Sequence, residues 1–432
     1  MDYLKQIAKQ ALKYEAKLVL KKYKPKVVAI TGSVGKTLTK EAVYHVLSKN
    51  FFVRRSGKSF TAELGIPLAI IGCGEGVGSV FQLIKNLLFG LRVILTKSNY
   101  PQWLILEVDG DKPGDLEAVS SMIKPDMVVI TAIGETPSHI EMFGDLETFL
   151  NEKKAMVDSV RFGGAVIYNA DDSITLELSK SSKVRTVSVG VLNGSQISGT
   201  EFEILYGSGK TGSVPTGMSF SIKYKNEVFP INIFETIGIQ NQYAILLAFA
   251  VGLEFGLPAS QIVNSLGKYS ALPGRMRLVP GVKDTLIIDD SYNSSPIAIE
   301  ESIRVLKDIK SVDKKIAVIG DMLELGRFSA IEHRRVAELL NGVATDVICI
   351  GIRARKIVDE LLNYGFPESK IISFDTADEA QGYLQNLINE GDIILIKGSQ
   401  AMRMEKIVEE VMRYPQDKNK VLVRQEEEWK GR

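Results

Sequence analysis

Apolar and polar positions along this chain repeat with two different periods. Short runs rich in β-branched residues, at 27–31, 103–108, 127–131 and 165–168, each lead into a turn or helix signal, and that alternation predicts a parallel sheet with crossover helices. Between 194 and 233 the pattern changes to glycine-rich turns and short alternating strands such as 220–224 and 228–233, which predicts a small antiparallel annex. The apolar run 243–253 is too short to span a bilayer and reads as a core helix. After Leu272, Pro273 and Gly274 a second series begins, with strands at 286–289, 316–319, 347–350, 371–374 and 393–396 separated by helical patterns. The expected fold is α/β: a central domain with a parallel sheet and a small antiparallel annex, then a Rossmann-like C-terminal domain. The expected boundaries are a basic N-terminal helix over 1–25, the central domain over 26–273, the C-terminal domain over 274–415 and a loosely ordered charged tail over 416–432.

Two stretches are amphipathic. Residues 1–26 carry eight lysines against Asp2 and Glu15, a local charge of +6 that leaves −5 for the remainder of a chain whose net charge is +1. Leu4, Ile7, Ala8, Ala11, Leu12, Leu18 and Val19 roughly follow helical spacing there, and residues 80–95 place Val80, Leu83, Ile84, Leu87, Leu88, Leu91, Ile94 and Leu95 along one side of a second helix. Packing against the core is one reading of both. A peripheral contact with a membrane surface or a protein partner is the other.

With 432 residues, 45% hydrophobic and 24% charged, the chain has room for two or three ordinary globular domains. The near-neutral balance offers no case for nucleic-acid binding. Cys73 and Cys349 lie far apart in apolar, glycine-flanked contexts and read as thiols in a reducing cytoplasm, and three histidines are too few for a histidine-rich zinc site.

The strand at 27–30 runs into Thr31, Gly32, Ser33, Val34, Gly35, Lys36 and Thr37 and then a helix. Glycines let backbone N–H groups turn toward an anion, a helix N-terminus adds positive potential, Lys36 can reach terminal phosphates and the Thr37 hydroxyl can hold Mg²⁺. Ile30 stands where the common phosphate loop has its first glycine, yet the strand-loop-helix context marks a nucleotide site. A nucleotide-bound Mg²⁺ needs further oxygen ligands; Glu107, at the end of the apolar strand 103–108, is placed to supply one, with Asp109 and Asp111 competing in the same loop. His139, in a loop after another strand, is a further metal-ligand candidate, although a lone histidine is more often a structural residue; Lys153, in Asn151-Glu152-Lys153-Lys154, reads by itself as solvated.

Several motifs in order resemble the Mur ligase family: ITGSVGKT at 30–37, ELGIPL at 63–68, HIEMFGDLE at 139–147, NADD at 169–172, LPGRM at 272–276, IDDSYNSSP at 288–296, GDMLELG at 320–326 and IKGSQAMRME at 396–405. GDMLELG and DDSYNSSP point to its dipeptide-adding branch rather than to folylpolyglutamate synthase, which is similar in fold. The resemblance implies ATP-dependent amide ligation through an acyl phosphate, with D-alanyl-D-alanine and a muramoyl-peptide as substrates, two Mg²⁺ ions and a cytoplasmic location. It implies that Thr37 and Glu107 hold the first metal and His139 the second, with Lys153 carbamylated as a further ligand; Lys36, His139 and Lys153 form the catalytic set. It further implies adenine contact by Asn241, contact with ATP phosphates and ribose by Arg275 and Asp290, and a dipeptide site lined by Asn293, Ser294, Asp321, Glu324, Lys397 and Ser399.

The chain also departs from the family pattern. About 26 residues precede the first strand, where the family has a uridine-nucleotide-binding domain, so that domain is expected to be missing. Thr61 and Ala62 stand for paired asparagines before ELGIPL, Ala132 for the asparagine before Ile133, Gln240 for the histidine before Asn241, and Ala244 for a later asparagine; His139 follows Gly134 by two residues more than usual. ATP and metal machinery is thus expected to be kept while recognition of the muramoyl nucleotide is altered. A different, non-uridine or lipid-linked acceptor at the inner face of the membrane, and a non-catalytic nucleotide-binding partner protein, remain the alternative readings.

Overall fold

The computed structural model describes every residue except 1, 58–61, 74–79, 111, 138, 193, 211, 311–313, 427–428 and 430–432; Thr61 and Asp111, singled out above, lie outside the described residues. Two sheets organise the chain. The first has nine strands: β1 (Lys26–Thr31), β2 (Val53–Arg55), β3 (Trp103–Glu107), β4 (Met127–Ile130), β5 (Ala165–Asn169), β6 (Arg185–Gly190), β7 (Ile197–Gly209), β8 (Gly212–Tyr224) and β9 (Glu227–Phe234), in the spatial order β2-β3-β1-β4-β5-β6-β7-β8-β9. Strands β1 to β6 are parallel, and β1 lies between β3 and β4, so the chain reverses direction across the sheet at β1. Open parallel sheets bind ligands at such a reversal, beyond the carboxyl ends of the strands.

The expected antiparallel annex is present, with longer strands than the sequence pattern suggested. Strands β7 and β8 are 13 residues each, and with β9 they extend one end of the parallel sheet. The join is brief, with Val189 opposite Ile197 and Gly190 opposite Ser198 in parallel register, before the strands turn antiparallel.

The second sheet has six strands: β10 (Arg277–Pro280), β11 (Leu286–Asp290), β12 (Lys315–Gly320), β13 (Asp346–Ile350), β14 (Ile371–Phe374) and β15 (Ile393–Lys397), in the order β10-β11-β15-β12-β13-β14. Five are the predicted parallel strands. Strand β10 is an additional antiparallel edge, too short to show a period and closed by Pro280. The helix Ile239–Glu254, which contains the predicted apolar run, is buried nearly all round, and one continuous core joins it to α2 (Lys36–Leu47) and to the second sheet. The tail is also corrected: Leu422, Val423 and Arg424 are buried, and Arg424 pairs with Glu405 at 2.8 Å. A charged composition suggested looseness, but this guanidinium is held by a buried carboxylate and by the carbonyls of Ser291 and Tyr292. The two cysteines are free thiols, Cys349 buried and Cys73 half-buried.

The opposite face of the first sheet is covered by α1 (Asp2–Tyr23), α3 (Ala62–Ile71) and α4 (Val80–Leu95). Leu12, Ala16 and Val19 of α1 are fully buried, so the basic helix does pack on the core. It crosses α4 at Gly90, where an added Cβ would lie 2.0 Å from Glu15 Oε2. Glu15 is buried, that oxygen has no hydrogen-bond partner among the described residues, and burial pushes the carboxyl up to about 7. Cys73, nearby, is pushed up to about 11 mainly by burial, with Glu15 adding to it. Because the folded-state value of Glu15 lies above the unfolded one, its contribution is full below pH 4.5 and is lost as pH rises through about 7. Glu15→Gln should therefore stabilise the fold at pH 8, by about 1–2 kcal/mol after allowance for solvent screening, and change little at pH 5. Thermal unfolding at the two pH values checks this, and an equal shift at both would show that Glu15 is not penalised for its charge.

Candidate active site

The carboxyl ends of β1, β3 and β4 meet at one edge of the first sheet, and the phosphate-loop residues rise from the middle strand. Gly32, at φ +139°, passes so close to β4's end that a Cβ would stand 2.1 Å from Thr131 Oγ1, so only glycine fits. Ser33 and Val34 donate their N–H groups to the Ala132 carbonyl at 2.7 and 3.0 Å. This corrects the expectation that those two amides face an anion: they pin the loop to the strand. The anion-facing position falls to the first turn of α2, whose leading amides have no partners within the helix. Thr31 is fully buried and its hydroxyl accepts from Lys153 at 3.3 Å, so it supports the site from behind rather than lining it.

Thr37 Oγ1 donates to Glu107 Oε1 at 2.9 Å, bringing together the two predicted oxygen ligands. Beside them is a residue the sequence reading passed over. Lys40, one turn beyond Lys36, is 1% exposed, donates to the Gly57 carbonyl at 2.8 Å and pairs with Glu107 Oε2 at 3.1 Å. Its signal was available as a lysine on the apolar face of a helix whose neighbours Leu38, Thr39, Ala42 and Val43 are core.

Lys36 folds back over the loop, donating to the Gly32 and Ser33 carbonyls at 2.9 and 3.2 Å and pairing with Asp109 at 2.7 Å. Asp109 also pairs with Lys153 at 3.0 Å. Burial alone would raise the Asp109 carboxyl, but Lys153 and Lys36 hold it well below the usual carboxylate range. Lys153 is not solvated: it is 1% exposed, its ammonium lies 5.0 Å from the Phe149 ring centre, and burial lowers its pKa against the pull of Asp109. His139 sits at φ 66° and its Nδ1 lies 2.6 Å from Glu324 Oε2, a residue of the second sheet's loops. The hydrogen bond raises the imidazole pKa and lowers that of Glu324.

A cleft separates this edge from the second sheet. Ser33, Val34, Gly35 and Gln240 line one wall, and Asp290, Asn293, Ser294 and Lys397 the other. Arg275 bridges them: its guanidinium lies 3.8 Å above the Tyr292 ring centre and reaches Thr37 Oγ1 at 3.4 Å. Asp290 and Lys397, opposite one another in the β11–β15 register, pair at 2.6 Å, and Ser302 donates to the same carboxylate oxygen at 2.7 Å. Lys397 also donates to the Asn293 carbonyl at 3.0 Å, and burial lowers its pKa. Ser294 Oγ is buried without a hydrogen-bond partner among the described residues.

Three assignments move. Asn241 is 1% exposed and donates to the Ile237 carbonyl at 3.1 Å, while its neighbour Gln240 lines the cleft. Asp321 is buried and its carboxylate accepts the Ala354 N–H at 2.7 Å, beside Arg353, which gives it a structural position. Ser399 is buried too, accepting the Leu323 N–H at 2.8 Å, so it ties two loops together rather than facing a dipeptide.

A nucleotide-type loop facing a second α/β sheet across a cleft, with lysines, an arginine and carboxylates on both walls, defines the class of ATP-dependent amide ligases. The family model described as Mur ligase middle domain matches residues 30–252, and the one described as Mur ligase, glutamate ligase domain matches residues 274–400. The chain belongs to the Mur ligase family. Among its relatives, the UDP-N-acetylmuramoyl-tripeptide--D-alanyl-D-alanine ligase of Bacillus subtilis is 25% identical over 406 residues, 94% of this chain and 80% of that protein. The enzyme of the same name from Rickettsia prowazekii is 26% identical, over 89% of this chain and 78% of its own. The fold matches MurF from Acinetobacter baumannii with a TM-score of 0.73 at 24% identity, covering 94% of this chain and 79% of that one. MurF ligase from Thermotoga maritima, solved in complex with ADP, matches at 0.73 and 23%, covering 97% and 84%.

Proposed function

We propose that this chain joins the amine of D-alanyl-D-alanine to a carboxylate of a muramoyl-peptide acceptor, consuming ATP in the cytoplasm as a step of cell-wall synthesis. The observation that carries the reading is the cleft itself, which faces Thr37 and the first turn of α2 with Arg275 from the linker and Asp290 and Lys397 from the other sheet. A nucleotide gripped from both walls would hold the two sheets together around the acceptor. The eight ordered motifs and the names of the relatives support the same substrates.

The acceptor carboxylate attacks the γ-phosphorus of ATP and ADP leaves; the dipeptide amine attacks the acyl phosphate, loses a proton, and the tetrahedral intermediate collapses to amide and phosphate. Carboxylate and triphosphate repel one another, so the site must supply positive charge where they meet. Lys36, exchanging Asp109 for the γ-phosphate, would supply part of it, and Arg275 would reach the phosphates from the linker. Asp290 would orient the ribose, Gln240 would border the adenine, and the closed cleft would keep water from the acyl phosphate.

Thr37 and Glu107 present two oxygens 2.9 Å apart at a helix N-terminus, a donor set that suits Mg²⁺, which takes one or two protein ligands and completes its shell with phosphates. Among the described residues no three His, Cys, Asp or Glu side chains cluster, so phosphate oxygens would have to complete the site. His139 and a carbamylated Lys153 would hold a second ion. When bound, Mg²⁺ neutralises charge on the transferred phosphoryl group.

Purified protein incubated with Mg-ATP, D-alanyl-D-alanine and UDP-N-acetylmuramoyl-tripeptide should release phosphate in step with a peptide product heavier by one dipeptide residue. Phosphate release without that product mass would overturn the acceptor assignment while leaving the ligase chemistry. A second reading keeps the chemistry and moves the acceptor to a lipid surface; the exposed apolar face of α4 favours it.

A further inference from the structure

Helix α4 is apolar on both sides. Its inner side, with Leu83, Asn86, Gly90 and Val93, is buried against α1 and α3. Its outer side repeats large apolar residues at every turn: Phe81 is 77% exposed, Ile84 50%, Leu88 63%, Leu91 45% and Leu95 80%. A helix apolar all round belongs in a protein core or against lipid, and half of this one faces outward.

We propose that this outer face docks on an anionic phospholipid bilayer, lying in the plane of the interface. The charge around the stripe selects lipid. Residues 80–100 contain Lys85, Arg92 and Lys97 and no aspartate or glutamate, and all three cations are exposed. Neighbouring α1 contributes exposed Lys17 and Lys21 from a segment of net charge +6. Apolar side chains on a described stretch, 80–100, whose charged residues are all cations match acyl chains beneath anionic headgroups. The stripe itself holds no hydrogen-bonding group to match the polar rim of a protein partner. No helix among the described residues is long and apolar enough to cross a membrane, which suits an in-plane contact. The inference rests on this face alone and stands whether or not the acceptor assignment holds.

The full chain should float with phosphatidylcholine vesicles containing phosphatidylglycerol, float poorly with phosphatidylcholine alone, and release as salt rises. Combining Ile84→Ser, Leu88→Ser and Leu91→Ser should weaken binding to the anionic vesicles at least about tenfold. Lys85→Gln with Arg92→Gln should weaken it and flatten the salt dependence. Because all these side chains are exposed, the thermal midpoint should stay within about 2 °C of the parent, which separates lost docking from lost fold. No flotation with anionic vesicles at low salt, or equal flotation by the triple-serine variant, overturns the proposal. So does a dimer in light scattering that the serine changes disperse without any vesicle binding, since the face would then belong to a second copy.

Discussion

Lys36→Ala should reduce ATP turnover at least about 1000-fold, a loss of roughly 4 kcal/mol of transition-state stabilisation, while the protein stays folded. Among the described residues the ammonium bonds to its own loop and to Asp109, and Asp109 keeps Lys153 as a second partner. The substitution therefore leaves no buried carboxylate unpaired, and thermal unfolding should move little. Steady-state phosphate release, measured beside a melting curve, separates the two effects. Turnover unchanged from the parent would remove the phosphate-loop assignment.

Lys153→Ala should cost about 100-fold or more in rate, and a short carboxylate such as acetate or formate in the buffer should restore part of it. The physical ground is the burial of this amine. Desolvation lowers its pKa, which raises the fraction in the neutral form that adds CO₂, forming an N–C bond and releasing a proton. The product is an anion beside Asp109, and two anions 3 Å apart are tolerated only with positive charge between them. Lys36 and a divalent cation can provide it. A rate lost and not restored by any small carboxylate would leave Lys153 as the cationic partner of Asp109, the pairing seen in the structure, and would end the carbamate reading.

Much of the site was legible because it follows from strand topology. A loop after one parallel strand and carboxylates after its neighbour must meet at the same sheet edge, and Thr37 and Glu107 do. What was not legible depends on phase and on partners. Asn241 and Gln240 differ by one position at a helix start, about a quarter turn, and that rotation decides which of them lines the cleft. Asp321 and Ser399 end strands like true site residues, yet local N–H donors occupy them, and no spacing rule separates an acceptor already satisfied from one awaiting a ligand. Lys153 shows the opposite case. Its sequence context is polar, and only the packing of its helix against β1 and Asp109 hides it. Strand β2 has three residues, fewer than a period needs, and the β6–β7 join rests on two residue pairs.

The docking of Arg424 extends farther than the tail. Its guanidinium holds the carbonyls of Ser291 and Tyr292, the Tyr292 ring carries Arg275, and Arg275 touches Thr37 at the mouth of the first loop. A stop codon after residue 415, downstream of every recognisable motif, would leave a gene that looks intact. Yet it would remove the outermost link of a chain of contacts that ends on the nucleotide loop, so a loss beyond residue 415 would be felt at residue 37.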